Sequence, residues 1–197
     1  YRFYDIQQGR ILLDGQDIRK LTLDSLRRAI AIVPQDTVLF NSSIRDNIAY
    51  GRPTATAEDI DRAIDMAQLR DFINSLPQGD ATLVGERGLK VSGGEKQRIA
   101  IARVLLKQSP ILVFDEATSA LDSHNEHSIL SAIQNLAKGH TSLVIAHRLS
   151  TVVDADLIVV LHQGAIIEQG THQELLTKQG HYAELWALQQ REQQSTS

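Results

Sequence analysis

The sequence predicts an α/β fold with parallel strands, and three observations carry that expectation. The first is a set of short apolar runs, Ile30–Val33, Ile111–Phe114 and Thr141–Ala146, with the length and composition of strands in a buried sheet. The second is that each follows a stretch patterned as an amphipathic helix, the alternation that builds parallel sheets. The third is that Ile111-Leu112-Val113-Phe114 stops in two adjacent carboxylates, Asp115 and Glu116. In open α/β sheets ligands collect outside the carboxyl ends of the strands, so two acids stand where a ligand would lie.

Bulk properties narrow the class. The chain has 197 residues, 42% hydrophobic and 22% charged, which suits one domain with a real core. Its 20 basic and 24 acidic residues give a net charge of −4, against a nucleic-acid binder that works through a broad basic surface. There is no cysteine, hence no disulfide and no thiolate metal site. No run approaches the length of a membrane span, and no signal peptide is visible.

Taken in order, Tyr1–Asp5 reads as the tail of a helix, Arg10–Leu13 as a short strand and Asp14-Gly15 as a turn. Leu21–Ile30 carries Leu23, Leu26 and Ile30 on one side of a short helix. The run Ile30–Val33 closes at Pro34-Gln35. Residues 41–77 are helical in pattern: Ser43–Ile48 is short, and Thr56–Leu69 sets Ile60, Ile64 and Ala67 opposite Glu58, Asp61 and Asp65. Arg70–Leu76 adds a further turn, stopped by Pro77 and Gly79. No heptad is sustained.

The most informative stretch is Val91–Asp122. Ser92-Gly93-Gly94-Glu95 opens a helix with Ile99, Ala102, Leu105 and Leu106 on its apolar face. Ser92 with Glu95 has the capping-box spacing. The two glycines leave backbone N–H groups open at a helix N-terminus, a natural phosphate site. Beyond Asp122, Ser123–Leu136 reads as an amphipathic helix ended by Gly139. His147 stands past the carboxyl end of the following strand. Leu157–Leu161 and Ala165–Glu168 are strands joined by a Gln163-Gly164 turn. Thr171-His172-Gln173-Glu174 starts a capped helix. The last helix is expected over Tyr182–Gln190, with a frayed tail from Gln193. The remaining histidines, His124, His127, His140, His162, His172 and His181, show no metal-ligand spacing and read as surface residues.

VSGGE, then ILVFDE, then SALD resembles the signature, Walker B and D-loop succession of the ATP-binding cassette (ABC) ATPases. Each piece alone has an ordinary reading, as a helix cap or a solvated strand end; their order and spacing make the resemblance specific. RFYD, DIRKLTLDSLRR, VPQDTVLFNSSIRDNIAYGR, VGERGLKVSGGEKQR and IAHRLSTVVDAD extend it over the whole chain. They are most similar to half-size exporters of the mitochondrial iron–sulfur and heavy-metal-tolerance type and their bacterial relatives. Val91 and Glu95 stand where Leu and Gln are commoner.

The resemblance implies a P-loop NTPase-like ABC ATPase fold with a mainly parallel sheet and an inserted helical subdomain. The implied parts are residues 1–40 up to the Q-loop, 41–106 as the helical subdomain, and 107–197 as the rest of the core. Glu116 becomes the general base or water-orienting carboxylate and His147 the γ-phosphate switch. Asp115 and Gln35 become the Mg²⁺ residues. Ser92, Gly93, Gly94 and Glu95 become the signature that binds a partner's ATP in trans, and Ser119 and Asp122 the D-loop at the dimer interface. Glu86 and Arg87 become the X-loop that faces transmembrane domains of the same polypeptide. The implied cofactors are ATP and Mg²⁺, the implied partner is a second nucleotide-binding domain, and nucleic acid is not expected. The implied location is the cytosolic or matrix face of a mitochondrial or bacterial inner membrane.

One departure qualifies this. No G-x-x-x-x-G-K-[ST] occurs, nor any Gly-Lys pair, and that motif supplies the phosphate cradle. The chain therefore reads as the C-terminal part of a nucleotide-binding domain, cut within the first helix after the P-loop. It also lacks the strand that leads into the P-loop, so aggregation or loose folding is expected of the chain alone. Two other classes stay open: a non-catalytic interaction module, and a soluble ABC-fold ATPase of repair or translation. The VGERG stretch, the acidic balance and the missing coiled coil count against the second.

Overall fold

A computed structural model describes residues 1–116 and 139–195, with side chains through residue 192. Ser119, Asp122, His124, His127 and the helix expected over 123–136 lie outside the described residues. The chain divides into two compact units, Tyr1–Ile145 and Ala146–Ser197.

The first unit opens with a small hairpin, β1 (Leu12–Leu13) and β2 (Gln16–Asp17). Asp14 (φ 48°) and Gly15 (φ 76°) are both left-handed, the conformation a two-residue hairpin turn demands. Helix α1 (Leu23–Ala29) is capped by Thr22, whose side chain accepts from the Ser25 N–H. It runs directly into β3 (Ile30–Val33). Tyr1–Asp5 is not helical. So few residues close too few intrahelical bonds to offset nucleation, and Tyr1 instead donates its hydroxyl to the Ile30 carbonyl at 2.9 Å.

Among the described residues the sheet is three-stranded and wholly parallel, in the order β3, β6 (Ile111–Asp115), β7 (Thr141–Ile145). Its register is fixed from outside the strands. Just before β6, Lys107 Nζ donates to the Arg27 and Ile30 carbonyls (both 2.6 Å), and Ser109 Oγ donates to the Arg28 carbonyl at 2.7 Å. Those carbonyls at the α1–β3 junction have no intrahelical partner otherwise. Satisfying them locks β3 against β6. On β6, Leu112 and Phe114 are buried; on β7, Leu143 and Ile145 are 58% and 46% exposed.

Between β3 and β6 lies the helical part: α2 (Ile44–Ala49), α3 (Ala57–Met66), α4 (Arg70–Asn74) and α5 (Gly93–Lys107). On α3 the buried face is Ile60, Ala63 and Ile64, continued by Ala67, as its periodicity predicts. Helix α5 departs from the one-sided expectation. Gln97, Ile99, Ala100, Ile101, Ala102, Val104 and Leu106 are all buried while Leu105 is only partly so. The reason is its position: α5 packs on β3 and also on α2 and α3, so it has no wide solvent face. A two-residue pair, β4 (Ser42–Ser43) with β5 (Leu83–Val84), straps the loop after β3 to the residues that lead into α5.

In the second unit, β8 (Ile158–His162) and β9 (Ala165–Gly170) form an antiparallel hairpin. Its turn residues, Gln163 (φ 49°) and Gly164 (φ 78°), repeat the left-handed pair of the first hairpin. Helix α6 (His172–Lys178) starts with a full capping box between Thr171 and Glu174. Helix α7 (His181–Ser195) is longer than expected and includes Gln193–Ser195; its final Gln, Arg and Glu residues are good helix formers. The Glu168 carboxylate accepts from the His181 and Tyr182 N–H groups at 2.6 and 3.0 Å and so caps that helix. His172 corrects the surface reading given to it. It is half-buried, its Nδ1 lies 2.8 Å from the Tyr182 hydroxyl, and its ring meets Trp186 edge-on.

Candidate nucleotide site

The register of the sheet builds the site. Val33 lies opposite Phe114, and Asp115 opposite Ile145. The residues that leave β3 and β6 therefore emerge level with one another at the carboxyl end of the sheet. There the Gln35 amide nitrogen donates to Glu116 Oε2 at 2.5 Å, across 81 positions of sequence. With the amide nitrogen so engaged, Oε1 is the Gln35 atom left to accept or to coordinate.

Glu116 has a left-handed backbone (φ 46°), which costs a non-glycine residue roughly 1–2 kcal/mol. Its N–H donates to the Ile145 carbonyl at 3.0 Å, so the turn off β6 is held by the neighbouring strand. Asp115, the last residue of β6, is half-buried. The two adjacent acids thus differ in setting: Asp115 is fixed by the sheet, and Glu116 by a strained turn with Gln35 across from it.

The Ser92-Gly93-Gly94 turn sits at the N-terminus of α5. Ser92 and Gly93 are exposed, while Gly94 and Glu95 are partly covered. Ser92 Oγ accepts from the Glu95 N–H at 3.3 Å. This is one half of the expected capping box; both halves are made at Thr56 and Thr171. Ser92 and Gly93 therefore present a long helix N-terminus, and its dipole, to solvent.

Glu86 and Arg87 project from a loop that two glycines shape. A Cβ on Gly85 (φ 101°) would meet Asn41 Oδ1 and the Phe40 carbonyl inside 3 Å, and one on Gly88 would meet the Leu83 carbonyl at 2.5 Å. The Arg87 N–H donates to Asn41 Oδ1 at 3.0 Å. The loop is thus tied to the segment after Gln35, and both acid and base are exposed. Nearby Val38, Phe40, Tyr50 and Leu83 are exposed apolar residues, with the Phe40 and Tyr50 rings 4.6 Å apart.

His147 belongs to the second unit and is exposed. Its carbonyl accepts from Gln189 Nε2 at 2.6 Å, and Gln189 Oε1 accepts from the Leu149 N–H at 2.9 Å. One amide on α7 therefore clasps the segment that carries the histidine. Sequence reasoning missed Gln189, as it missed Asn47, Gln97 and Arg103. The signal available for Gln97 and Arg103 was a polar residue inside an otherwise apolar helix.

Comparison with known proteins agrees with this geometry. The family model described as ABC transporter matches residues 1–119. The chain is 58% identical over 195 residues to the mitochondrial iron–sulfur clusters transporter ATM1 of Kluyveromyces lactis, covering 96% of this chain and 27% of the relative. It is 57% identical over 197 residues to an ATM1-type heavy metal exporter of Novosphingobium aromaticivorans, covering all of this chain and 32% of the relative. Among solved structures, a bacterial Atm1-family ABC exporter with ATP bound superposes with a TM-score of 0.90 at 58% identity, over 95% of this chain and 33% of that one. The chain thus spans about a quarter to a third of the length of the relatives it matches. With the family model covering more than half of it, the chain belongs to the ABC transporter family.

Proposed function

We propose that this chain is the ATP-hydrolysing part of a membrane exporter's nucleotide-binding domain, acting with a phosphate cradle that its own sequence does not contain. The observation that carries the reading is the Gln35–Glu116 contact at the carboxyl end of the parallel sheet. It supports Glu116 as the group that orients the attacking water and accepts its proton as the water oxygen bonds to the γ-phosphorus and the bond to ADP breaks. Such general-base action is worth roughly 10²–10⁴ in rate.

Asp115 and the Gln35 amide oxygen are hard donors of the kind Mg²⁺ takes. Among the described residues no three His, Cys, Asp or Glu side chains cluster to hold a metal. Mg²⁺ is commonly held by one or two protein oxygens together with water and phosphate. When bound, Mg²⁺ neutralises charge on the phosphates. His147 holds the γ-phosphate in this reading. The exposed N-terminus of α5 with Ser92, Gly93, Gly94 and Glu95 serves a second copy's ATP, because phosphate binds well at such an end. This requires a dimer, with Ser119 and Asp122 along its interface. The residue blocks 1–40, 41–106 and 107–197 then act as core, helical subdomain and core.

Glu86 and Arg87, beside exposed Val38, Phe40 and Tyr50, suit docking of transmembrane domains of the same polypeptide, at the cytosolic or matrix face of an inner membrane. The relatives are named as transporters and exporters, which favours this reading over a soluble repair or translation ATPase. The exported substrate in this reading is thiol- or metal-related or another small molecule; the relatives' names mention iron–sulfur clusters and heavy metal.

The test is Mg·ATP binding and hydrolysis by the chain as given and by a form extended upstream through a P-loop, each with Glu116→Gln. Activity in the extended form alone, abolished by Glu116→Gln while ATP is retained, is the expected result. Unchanged hydrolysis in that variant would refute the assignment.

A further inference from the structure

Gln97 lies in the second turn of α5 and is 5% exposed, one of few buried polar side chains in the first unit. Both ends of its amide are spent on one loop. Its Nε2 donates to the Pro34 carbonyl at 3.4 Å, and its Oε1 accepts from the Thr37 hydroxyl at 3.1 Å. Pro34 and Thr37 bracket Gln35. A buried amide is costly unless paired, so α5 and this loop are bound to move together. Pro34 stiffens the arrangement because its ring fixes φ. Beyond the bracket, Gln35 reaches Glu116.

We propose that Gln97 is a positioning residue that sets Gln35 on Glu116 and so links the signature turn to the hydrolytic carboxylate. The link is short and stiff. Ser92 caps α5 through the Glu95 N–H, α5 carries Gln97, Gln97 holds both flanks of Gln35, and Gln35 holds Glu116. An anion engaged at Ser92 and Gly93 acts on the same rigid helix that orients the base. Gln97 touches neither the nucleotide nor the attacking water in this scheme; its effect passes through Gln35. The inference rests on the ATPase reading above.

The test is steady-state ATP hydrolysis by the full-length protein. Gln97→Ala should lower kcat by roughly tenfold or more, because a small misplacement of a catalytic group carries that penalty. KM for Mg·ATP should change less than kcat does, since Asp115 still serves the metal when Gln35 shifts. Thr37→Val should reproduce the loss and Thr37→Ser should retain activity, which keeps the inference testable if Gln97→Ala folds poorly. The deciding arm is a double-mutant cycle. In a Gln35→Ala background Gln97→Ala should change kcat by less than about twofold, whereas a residue that only packs the helix lowers it equally in both backgrounds. Unchanged kcat in Gln97→Ala and Thr37→Val, or additive losses with Gln35→Ala, would overturn the inference and leave the ATPase reading intact, provided the parent hydrolyses ATP and Glu116→Gln abolishes it. A parent without hydrolysis overturns both.

Discussion

Two polar networks in the first unit use arginine in opposite ways. One is centred on the buried amides of Asn47 and Gln97 and contains no carboxylate. Asn47 is fully buried; its Nδ2 donates to the Phe40 and Ser43 carbonyls and to Ser42 Oγ, and its Oδ1 accepts from the Phe40 N–H. Arg103 donates to Asn47 Oδ1 and to the Asn47 and Val38 carbonyls, between 2.5 and 2.9 Å. With Gln97, these residues hold the segment 34–43, which contains Gln35. The other network lies at the surface: Arg45 with Asp61 and Asp80, and Arg70 with Asp65. The first is largely screened from water, with Asn47 and Gln97 buried and Arg103 half-buried, so a lost partner leaves a covered group unpaired. The second shares its partners with water. Burial of the partners, more than the number of contacts, separates a network that fixes geometry from one that decorates it.

Three perturbations break or sharpen this contrast. The largest is Asn47→Ala, which strands the Phe40 N–H and part of the Arg103 guanidinium in the interior. It should cost about 3 kcal/mol and raise amide exchange across residues 38–48, measured by mass spectrometry. Protection equal to the parent would show that the clamp is replaceable. Arg45→Ala comes next. Its side chain is one-third exposed, so its loss should cost about 1 kcal/mol or less, with exchange over the 38–48 segment unmoved. A cost that matches the Asn47 variant would erase the distinction.

The smallest effect is acid. The Arg70 hydrogen bond holds the Asp65 carboxyl below its ordinary value, and the Thr56 N–H, with Arg62, does the same for Asp59. A carboxylate lowered on folding contributes stability above its unfolded value, and that contribution is lost as pH falls through the folded one. The buried network contains no carboxylate. Acidification to about pH 3 should therefore loosen α3 and α4 while the 38–48 segment keeps its protection, once exchange is corrected for intrinsic rate. Loss of protection in both regions together would mean that the two networks melt as one.

Both networks were unequally legible in the sequence. Asp61 and Asp65 stood out as the polar side of a periodic helix, and the structure keeps them there. Asn47 gave no signal, because an Asn in a short helix is an ordinary surface residue until its neighbours are known. Gln97 and Arg103 lie inside α5, whose periodicity assigns one apolar face where the fold buries several. His172 was read as exposed for the same reason: Tyr182 and Trp186 come to it from another helix.

What the sequence by itself determined is what adjacent residues decide. Asp14-Gly15 and Gln163-Gly164 turn where two left-handed residues are needed. Thr22, Thr56, Ser92 and Thr171 start helices because a hydroxyl can take an orphan N–H. An apolar run ending in Asp115 and Glu116, after a Ser-Gly-Gly helix start, was enough to read an ABC ATPase. Only the tertiary structure decided that Val33 lies level with Phe114, so that Gln35 meets Glu116, that α5 is enclosed by strand and helices, and that β7 stays exposed where β6 is buried. Those outcomes rest on partners tens of residues away, brought together by carbonyls and apolar faces that must be satisfied somewhere, and no local pattern names the partner that satisfies them.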